Sequence, residues 1–282
     1  MTTAPSIDSN PAPVAGPIKR QLSLGGTVLE LLTGGSGPPL VFLHGEEGPR
    51  GWQAHHAALA GHFTVYAPVM PGCGGSGRPD WVESVPALAK YYLWAQDVLA
   101  PDSLPLLAGA SLGGWIAAEM ATMAPERFSR LALIGAQGVK TLELGAPDLF
   151  AMPYRRYMRL SCAEPEGAHA RAVWRDDASD TDLDTDIEIM EMAARLGFKP
   201  YMHDRTLLPA LARVRQPALL LWGEHDRATP AAVSGAFLDA LPAGERIVVP
   251  RCGHFAHLEQ PLAIATHIAA FAWSSTRLLG ER

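Results

Sequence analysis

Positive charge is in the minority: 23 Lys and Arg stand against 29 Asp and Glu in 282 residues, a formal net charge of -6. Without a basic excess there is no electrostatic footprint for nucleic acid or for an anionic membrane surface, and neither is an expected partner. Cysteine is equally sparse. Cys73, Cys162 and Cys252 lie far apart, lack metal-ligand spacing and cannot all pair within the chain, so the expectation is a reducing, cytoplasmic setting. No apolar run reaches the roughly 18 residues that mark a membrane-spanning helix, and the N-terminus lacks the charged start and apolar core of an export signal. Motifs for bound cofactors are missing too. Gly72-Cys73-Gly74-Gly75 does not open a helix as a dinucleotide-binding turn does, and no Lys follows it as in a phosphate-binding loop. The acidic run from Asp176 to Asp186 lacks the Gly and closing Glu of a calcium loop and reads as a solvated surface. No cofactor and no metal are expected.

What is present is a globular composition, 48% hydrophobic with 27 Gly and 24 Pro, that is, an enzyme-sized core with many turns. Residues 1–17, rich in proline and small residues, read as a disordered leader. Lys19 to Leu24 and Thr27 to Leu32 flank Gly25-Gly26 as a hairpin. Short, almost wholly apolar runs follow at Leu40 to Leu43, Phe63 to Ala67, Leu104 to Leu107 and Leu131 to Ile134, separated by helix-forming stretches. Strands apolar on both faces alternating with helices predict an α/β fold, a mostly parallel doubly wound sheet covered on each side. The rhythm stops near Val139 and resumes at Ala218. The expected organisation is therefore a core of residues 18–138 and 210–282 interrupted by an inserted helical cap, residues 139–209, over the edge of the sheet where ligands bind.

The chemistry is concentrated in a few short segments. Gly109-Ala110-Ser111-Leu112-Gly113 sits directly after an apolar run and directly before a helix-forming stretch, the context in which G-x-S-x-G makes a sharp turn exposing a nucleophilic serine. A serine hydroxyl needs a base, and the base needs a carboxylate to hold its tautomer. Asp226 follows the run Ala218 to Trp222, and His254 follows Arg246 to Pro250, in the chain order Ser, acid, His. Thr229-Pro230 is the better helix start, which frees Asp226 from capping. His225 and His257 are near neighbours that could be confused with these partners; His55, His56, His62, His169, His203 and His267 read as surface or packing residues. The backbone N–H of Leu112 is the first candidate donor to an oxyanion, and that of Glu46, with Glu47 as fallback, the second. Because carboxylates would oppose an oxyanion, both glutamate side chains are expected to point to solvent or to the cap. A His base with an ordinary pKa of ~6.5 predicts an acid limb in kcat/KM at about pH 6 to 7.

Taken together, Pro39-Leu40-Val41-Phe42-Leu43-His44-Gly45, Pro71-Gly72-Cys73-Gly74-Gly75-Ser76, Gly109 to Gly114, Leu220-Leu221-Trp222-Gly223-Glu224-His225-Asp226 and Gly253-His254-Phe255-Ala256-His257 resemble the α/β-hydrolase superfamily. The resemblance implies that Ser111, Asp226 and His254 form a catalytic triad, with His254 rather than His257 as base. The chain departs from the family at Val69, where Asp is usual, and at Cys73, where an aromatic is usual. A serine at the turn excludes the aspartate-nucleophile members. Hydrolysis of a small, largely apolar ester, lactone or thioester is the leading expectation. The first alternative is carbon-carbon hydrolysis of a meta-cleavage-product-type diketone. Enzymes of that kind usually carry Asn at the position of Ala110, Met at Leu112 and a Gly-rich run at Glu46-Glu47. A noncatalytic small-ligand receptor is the second alternative. Tyr154, Tyr157 and Tyr201 are candidate substrate contacts in the cap, although cap-to-core anchoring would use the same residues. Arg155 and Arg156 are candidates to meet a substrate carboxylate or to lie on a helix surface. Nothing in the sequence sets the oligomeric state.

Overall fold

The computed structural model describes residues 17–99, 103–175 and 177–274. The leader read from the sequence, apart from Pro17, and the core's last residues from 275 onward lie outside the described residues. In chain order the elements are β1 (Ile18–Leu24), β2 (Thr27–Gly34), β3 (Pro39–Leu43), α1 (Ala54–Ala60), β4 (Thr64–Pro68), α2 (Val85–Leu99), β5 (Leu106–Ala110), α3 (Leu112–Met123) and β6 (Arg130–Ile134). There follow α4 (Tyr154–Leu160), α5 (Ala168–Val173), α6 (Asp180–Gly197) and α7 (Leu207–Leu211), then β7 (Ala218–Gly223), α8 (Ala231–Ala240), β8 (Gly244–Val249), α9 (Ala256–Glu259) and α10 (Pro261–Ala272).

The eight strands form one sheet in the order β1-β2-β4-β3-β5-β6-β7-β8. β1 and β2 pair antiparallel, as does β2 with β4; all other neighbours are parallel. Alternation along each strand divides the core between the two faces. Leu40 and Phe42 of β3, with Leu219 and Leu221 of β7, pack with Leu59 of α1 and Ile264 and Ile268 of α10. Val41 and Leu43, with Leu220 and Trp222, join the larger cluster containing Leu88 of α2, Ile116 of α3 and Phe237 of α8. A fully buried Leu or Phe contributes about 1.5–3 kcal/mol. The continuous apolar runs in the sequence are therefore what fixes these strands between two helical layers.

The order in which strands are added across the sheet reverses at β3: β4 lies on one side of it and β5 on the other, both parallel to it. In an open α/β sheet the crevice at such a switch point is where ligands bind. Here the loops leaving the carboxyl ends of β3 and β5 carry His44-Gly45-Glu46 and Ser111.

Among the described residues four α-helices, α4 to α7, stand between β6 and β7. The acidic stretch runs into α6, which begins at an N-cap Ser179 that accepts from the Asp182 N–H in a capping box. The later part of the acidic run is therefore helical. It is not solvated throughout. Asp186 is buried and accepts from Arg50 Nη2 at 2.5 Å and from Arg155 Nε at 2.6 Å. Arg50 also lies over the fully buried Trp174, 4.5 Å from the ring centroid. Arg155, a candidate for a substrate carboxylate, is committed to Asp186 instead. All three cysteines are free and buried, and burial pushes each thiol up to about 12. No helix among the described residues is long and apolar enough to cross a membrane.

Candidate active site

The turn after β5 is built by close backbone approach. Ser111 has φ 51° and ψ -118°, a strained conformation for a residue with a side chain. It is held by its own N–H donating to the Ile134 carbonyl (2.9 Å) and by its carbonyl accepting from Trp115 N (3.1 Å) and Gln137 N (3.0 Å). Glycine is required on either side. A Cβ on Gly109 would lie 2.2 Å from the Gly113 carbonyl oxygen, and one on Gly113 would lie 2.2 Å from that of Leu43. Gly45 is also pressed against the turn: a Cβ there would meet Ser111 Cβ at 2.9 Å.

The structure brings the three sequence candidates together. Ser111 Oγ lies 2.5 Å from His254 Nε2, and His254 Nδ1 lies 3.1 and 3.0 Å from the two oxygens of Asp226. His254 donates its backbone N–H to the Ser161 carbonyl just past α4 (2.7 Å), so the inserted helices help to seat it. Asp226 is oriented by Thr229, whose N–H and hydroxyl donate to its two oxygens at 2.8 and 2.7 Å. The sequence reading assigned Thr229 only to a helix start. The Asp-x-x-Thr spacing, an acid with a hydroxyl three residues on, was the available signal. Gly135, at φ +52°, was missed as well: a Cβ there would press on His254 Nδ1 at 3.2 Å and Asp226 Oδ2 at 3.1 Å. His225 is exposed beside Glu224, while His257 faces Glu47, with 3.2 Å between His257 Nε2 and Glu47 Oε1. Neither joins Asp226. His55 and His56 are packing residues, His55 tilted and His56 edge-on against Phe42 inside the protein.

The two glutamates depart from expectation. Neither points to solvent. Glu47 is buried and accepts from Gly45 N at 3.0 Å. Glu46 is 0% exposed, and its Oε2 accepts from the backbone N–H of Leu112 at 3.1 Å while its Oε1 lies 3.5 Å from His254 Nε2. The sequence could not have shown this, because the direction of a side chain in an irregular loop leaves no periodic trace.

The electrostatic consequence is large. Burial alone would lower the His254 pKa, but the Asp226 and Glu46 carboxylates on either side overcome it and raise it to about 10. Burial likewise opposes ionisation of Glu46, yet the hydrogen bond and charge of His254 hold its carboxyl down at about 2. Two carboxylates thus favour the imidazolium form of His254, and the expected acid limb at pH 6 to 7 moves upward. As a histidine whose folded pKa is raised, His254 contributes stability that is fully present below the unfolded value of ~6.5 and is lost as pH rises through about 10.

The three tyrosines divide in use. Tyr154, buried in α4, donates its hydroxyl to the Glu46 carbonyl at 2.7 Å. Tyr157 is fully buried, near enough to Glu46 and Asp226 for their charges to help push its phenol up, after burial itself. The Tyr201 hydroxyl accepts from Leu149 N (2.9 Å) and donates to the Pro147 carbonyl (3.2 Å), tying down the 147–149 loop.

A mostly parallel sheet, a strained serine turn and a hydrogen-bonded Ser-His-Asp chain at the switch point define an α/β-hydrolase. A family model of the alpha/beta hydrolase fold matches residues 38–261, and the chain belongs to that family of enzymes. It is 27% identical over 267 residues to a 2-hydroxy-6-oxo-2,4-heptadienoate hydrolase of Pseudomonas putida, covering 86% of this chain and 92% of the relative. It is 26% identical over 260 residues to a pimeloyl-[acyl-carrier protein] methyl ester esterase of Nitrosomonas europaea, covering 83% and 95%. Among solved structures, a bacterial membrane phospholipase A shares the fold with a TM-score of 0.75 at 24% identity, covering 91% of this chain and 86% of that one. A 2-hydroxy-6-oxo-6-phenylhexa-2,4-dienoate hydrolase from a Rhodococcus species does so with a TM-score of 0.71 at 21% identity, covering 92% and 99%.

Proposed function

We propose that the chain is a serine hydrolase of small, largely apolar esters, lactones or thioesters. The observation that carries this reading is the 2.5 Å contact between Ser111 Oγ and His254 Nε2 at a strained strand-to-helix turn, beside the Leu112 N–H. In the first half-reaction Ser111 Oγ attacks the carbonyl carbon and its proton passes to His254 Nε2. The negative charge that develops on the carbonyl oxygen is met by the backbone N–H groups of Leu112 and Glu46. His254 then protonates the departing alcohol or thiol, leaving an acyl group on Ser111. Water attacks that ester, gives its proton to His254, and the acid leaves as Ser111 regains its proton. Asp226, oriented by Thr229, holds the imidazole tautomer and stabilises the cation. The test is a panel of p-nitrophenyl esters, lactones and acyl thioesters with purified protein; no turnover of any of them overturns the reading.

Carbon-carbon hydrolysis of a meta-cleavage diketone is the second reading, supported by the match to the P. putida hydrolase over 92% of its length. Against it stands a buried carboxylate at the reaction centre, which repels the carboxylate of a dienoate substrate. Turnover of a 2-hydroxy-6-oxo-dienoate exceeding that of every ester would reverse the ranking.

Residues 139–209 act in this proposal as a cap that selects substrates, with Tyr154 and Tyr157 beside the reaction centre. The expected outcome is that Tyr157→Ala alters the ranking of kcat/KM across acyl chain lengths by about tenfold. Tyr201→Phe, by contrast, should cost about 1 kcal/mol of stability through its lost hydrogen bonds and leave the ranking unchanged. Chain-length kinetics beside melting curves check both; an unmoved ranking in Tyr157→Ala overturns the selective role.

A further inference from the structure

We infer that the Glu46 side chain is a carboxylate gate on the oxyanion hole: it occupies the resting site where the substrate's carbonyl oxygen must sit, and turnover requires its displacement. This rests on the serine-hydrolase reading above. The geometry is specific. The donor that Glu46 Oε2 takes, Leu112 N–H, belongs to the residue after the nucleophile, the position whose N–H stabilises the oxyanion. The other oxygen, Oε1, is buried and faces the same His254 nitrogen that contacts Ser111, at a long 3.5 Å. A carbonyl oxygen arriving at Leu112 N–H would collide with Oε2, and its developing negative charge would face a second anion.

The residue is held from outside the core. Its carbonyl accepts from Tyr154 of α4, and Gly45 before it and Gly48 after it, at φ +79°, shape a tight turn. Moving Glu46 out of the hole is thus a side-chain rotation under the inserted helices rather than a rearrangement of the loop. The device would keep the serine unreactive until an arriving substrate displaces the carboxylate. With Glu46 in place His254 lies between two carboxylates, which favour its cation and so oppose transfer of the Ser111 proton to it; with Glu46 withdrawn only Asp226 remains to raise its pKa. The other titratable groups facing this pair are Glu47, on the same loop, with His257 of α9 beyond it, and the phenols of Tyr154, Tyr157 and Tyr201. The phenols, all with pKa values raised by burial, stay neutral through the relevant range.

The experiment compares the full-length protein with Glu46→Ala, which clears the hole, and Glu46→Gln, which keeps the volume and removes the charge. A neutral organophosphate, diethyl p-nitrophenyl phosphate, is used to phosphorylate Ser111, followed by intact mass and by release of p-nitrophenol across pH 5 to 10. The downfield imidazole protons of His254 are followed by NMR in parallel. The expected result is phosphorylation at pH 7 at least ~10-fold faster in Glu46→Ala, a smaller gain in Glu46→Gln, and an acid limb displaced downward by about one pH unit or more in both. Slower labelling in both folded variants, or an acid limb at its wild-type pH, overturns the gate. The imidazole titration separates this from failure of the underlying reading. If Ser111 is labelled in none of the three proteins, the serine-hydrolase reading falls, while a downward shift of the His254 titration in both variants still supports the coupling to Glu46 and an unmoved titration removes it.

Discussion

Ser111→Ala is expected to lower kcat on whichever ester the protein turns over best by about 10⁴-fold or more, leaving only the rate that binding and the oxyanion donors supply. The size of the effect follows from the division of labour at the turn. Without Oγ there is no atom 2.5 Å from His254 Nε2 to attack the carbonyl, and the imidazole can at best activate water from a less favourable position. His254→Ala should fall as far, because Ser111 then has no proton acceptor. The two losses are not additive: the double variant should be no slower than either single one, since both remove the same step. Rates from a burst-free continuous assay decide it. A Ser111→Ala protein that keeps more than a tenth of wild-type activity sinks the assignment of the nucleophile.

The largest structural effect is expected at Gly113. A Cβ there would stand 2.2 Å from the Leu43 carbonyl oxygen and 2.5 Å from that of His44, both backbone atoms at the end of a central strand. Neither can yield without parting β3 from α3. Gly113→Val should therefore destabilise by roughly 3 kcal/mol or more, about 6–12 °C in Tm, if it folds at all. Because the displaced loop carries Glu46, activity should vanish along with stability. Gly235 is the control. It lies inside α8 with nothing within 4 Å of an added Cβ, so Gly235→Ala should raise stability by ~0.5–1 kcal/mol through helix propensity and leave activity unchanged. Melting curves on both variants test the contrast; a normal Tm in Gly113→Val would show that the strand-to-helix contact is looser than the geometry says.

Much of this architecture is legible in the sequence for a definite reason. The central parallel strands are buried on both faces, so Leu40 to Leu43 or Ala218 to Trp222 can hardly be anything but interior strands, and order along the chain then places Ser111 and Asp226 behind two such strands and His254 behind the half-exposed edge strand β8. Legibility stops where position depends on side-chain direction or on charge partners remote in sequence. Glu46 looks like an ordinary loop glutamate until the structure puts its carboxylate on Leu112 N–H. Asp186 looks solvated until Arg50 and Arg155 converge on it from other segments. The start of α6 leaves no hydrophobic trace because its first turns are acidic rather than apolar; the Ser179–Asp182 cap sets that boundary.

The three sealed thiols offer a clock for internal motion. A thiol reacts as its thiolate, and Cys73, Cys162 and Cys252 are both covered and held near a pKa of about 12, so alkylation of the native chain can proceed only through openings that admit water. Cys73 sits apart, after β4, whereas Cys162, after α4, and Cys252, after β8, border one seam, where a Cβ on Gly253 would come 2.7 Å from the Cys162 carbonyl carbon. The rate at which each accepts iodoacetamide, read by peptide mass, therefore reports the opening frequency of its own neighbourhood. If the inserted helices part from the sheet as a unit during substrate exchange, the seam shared by Cys162 and Cys252 will open and both will tick faster than Cys73, and a ligand lodged beneath those helices will slow both.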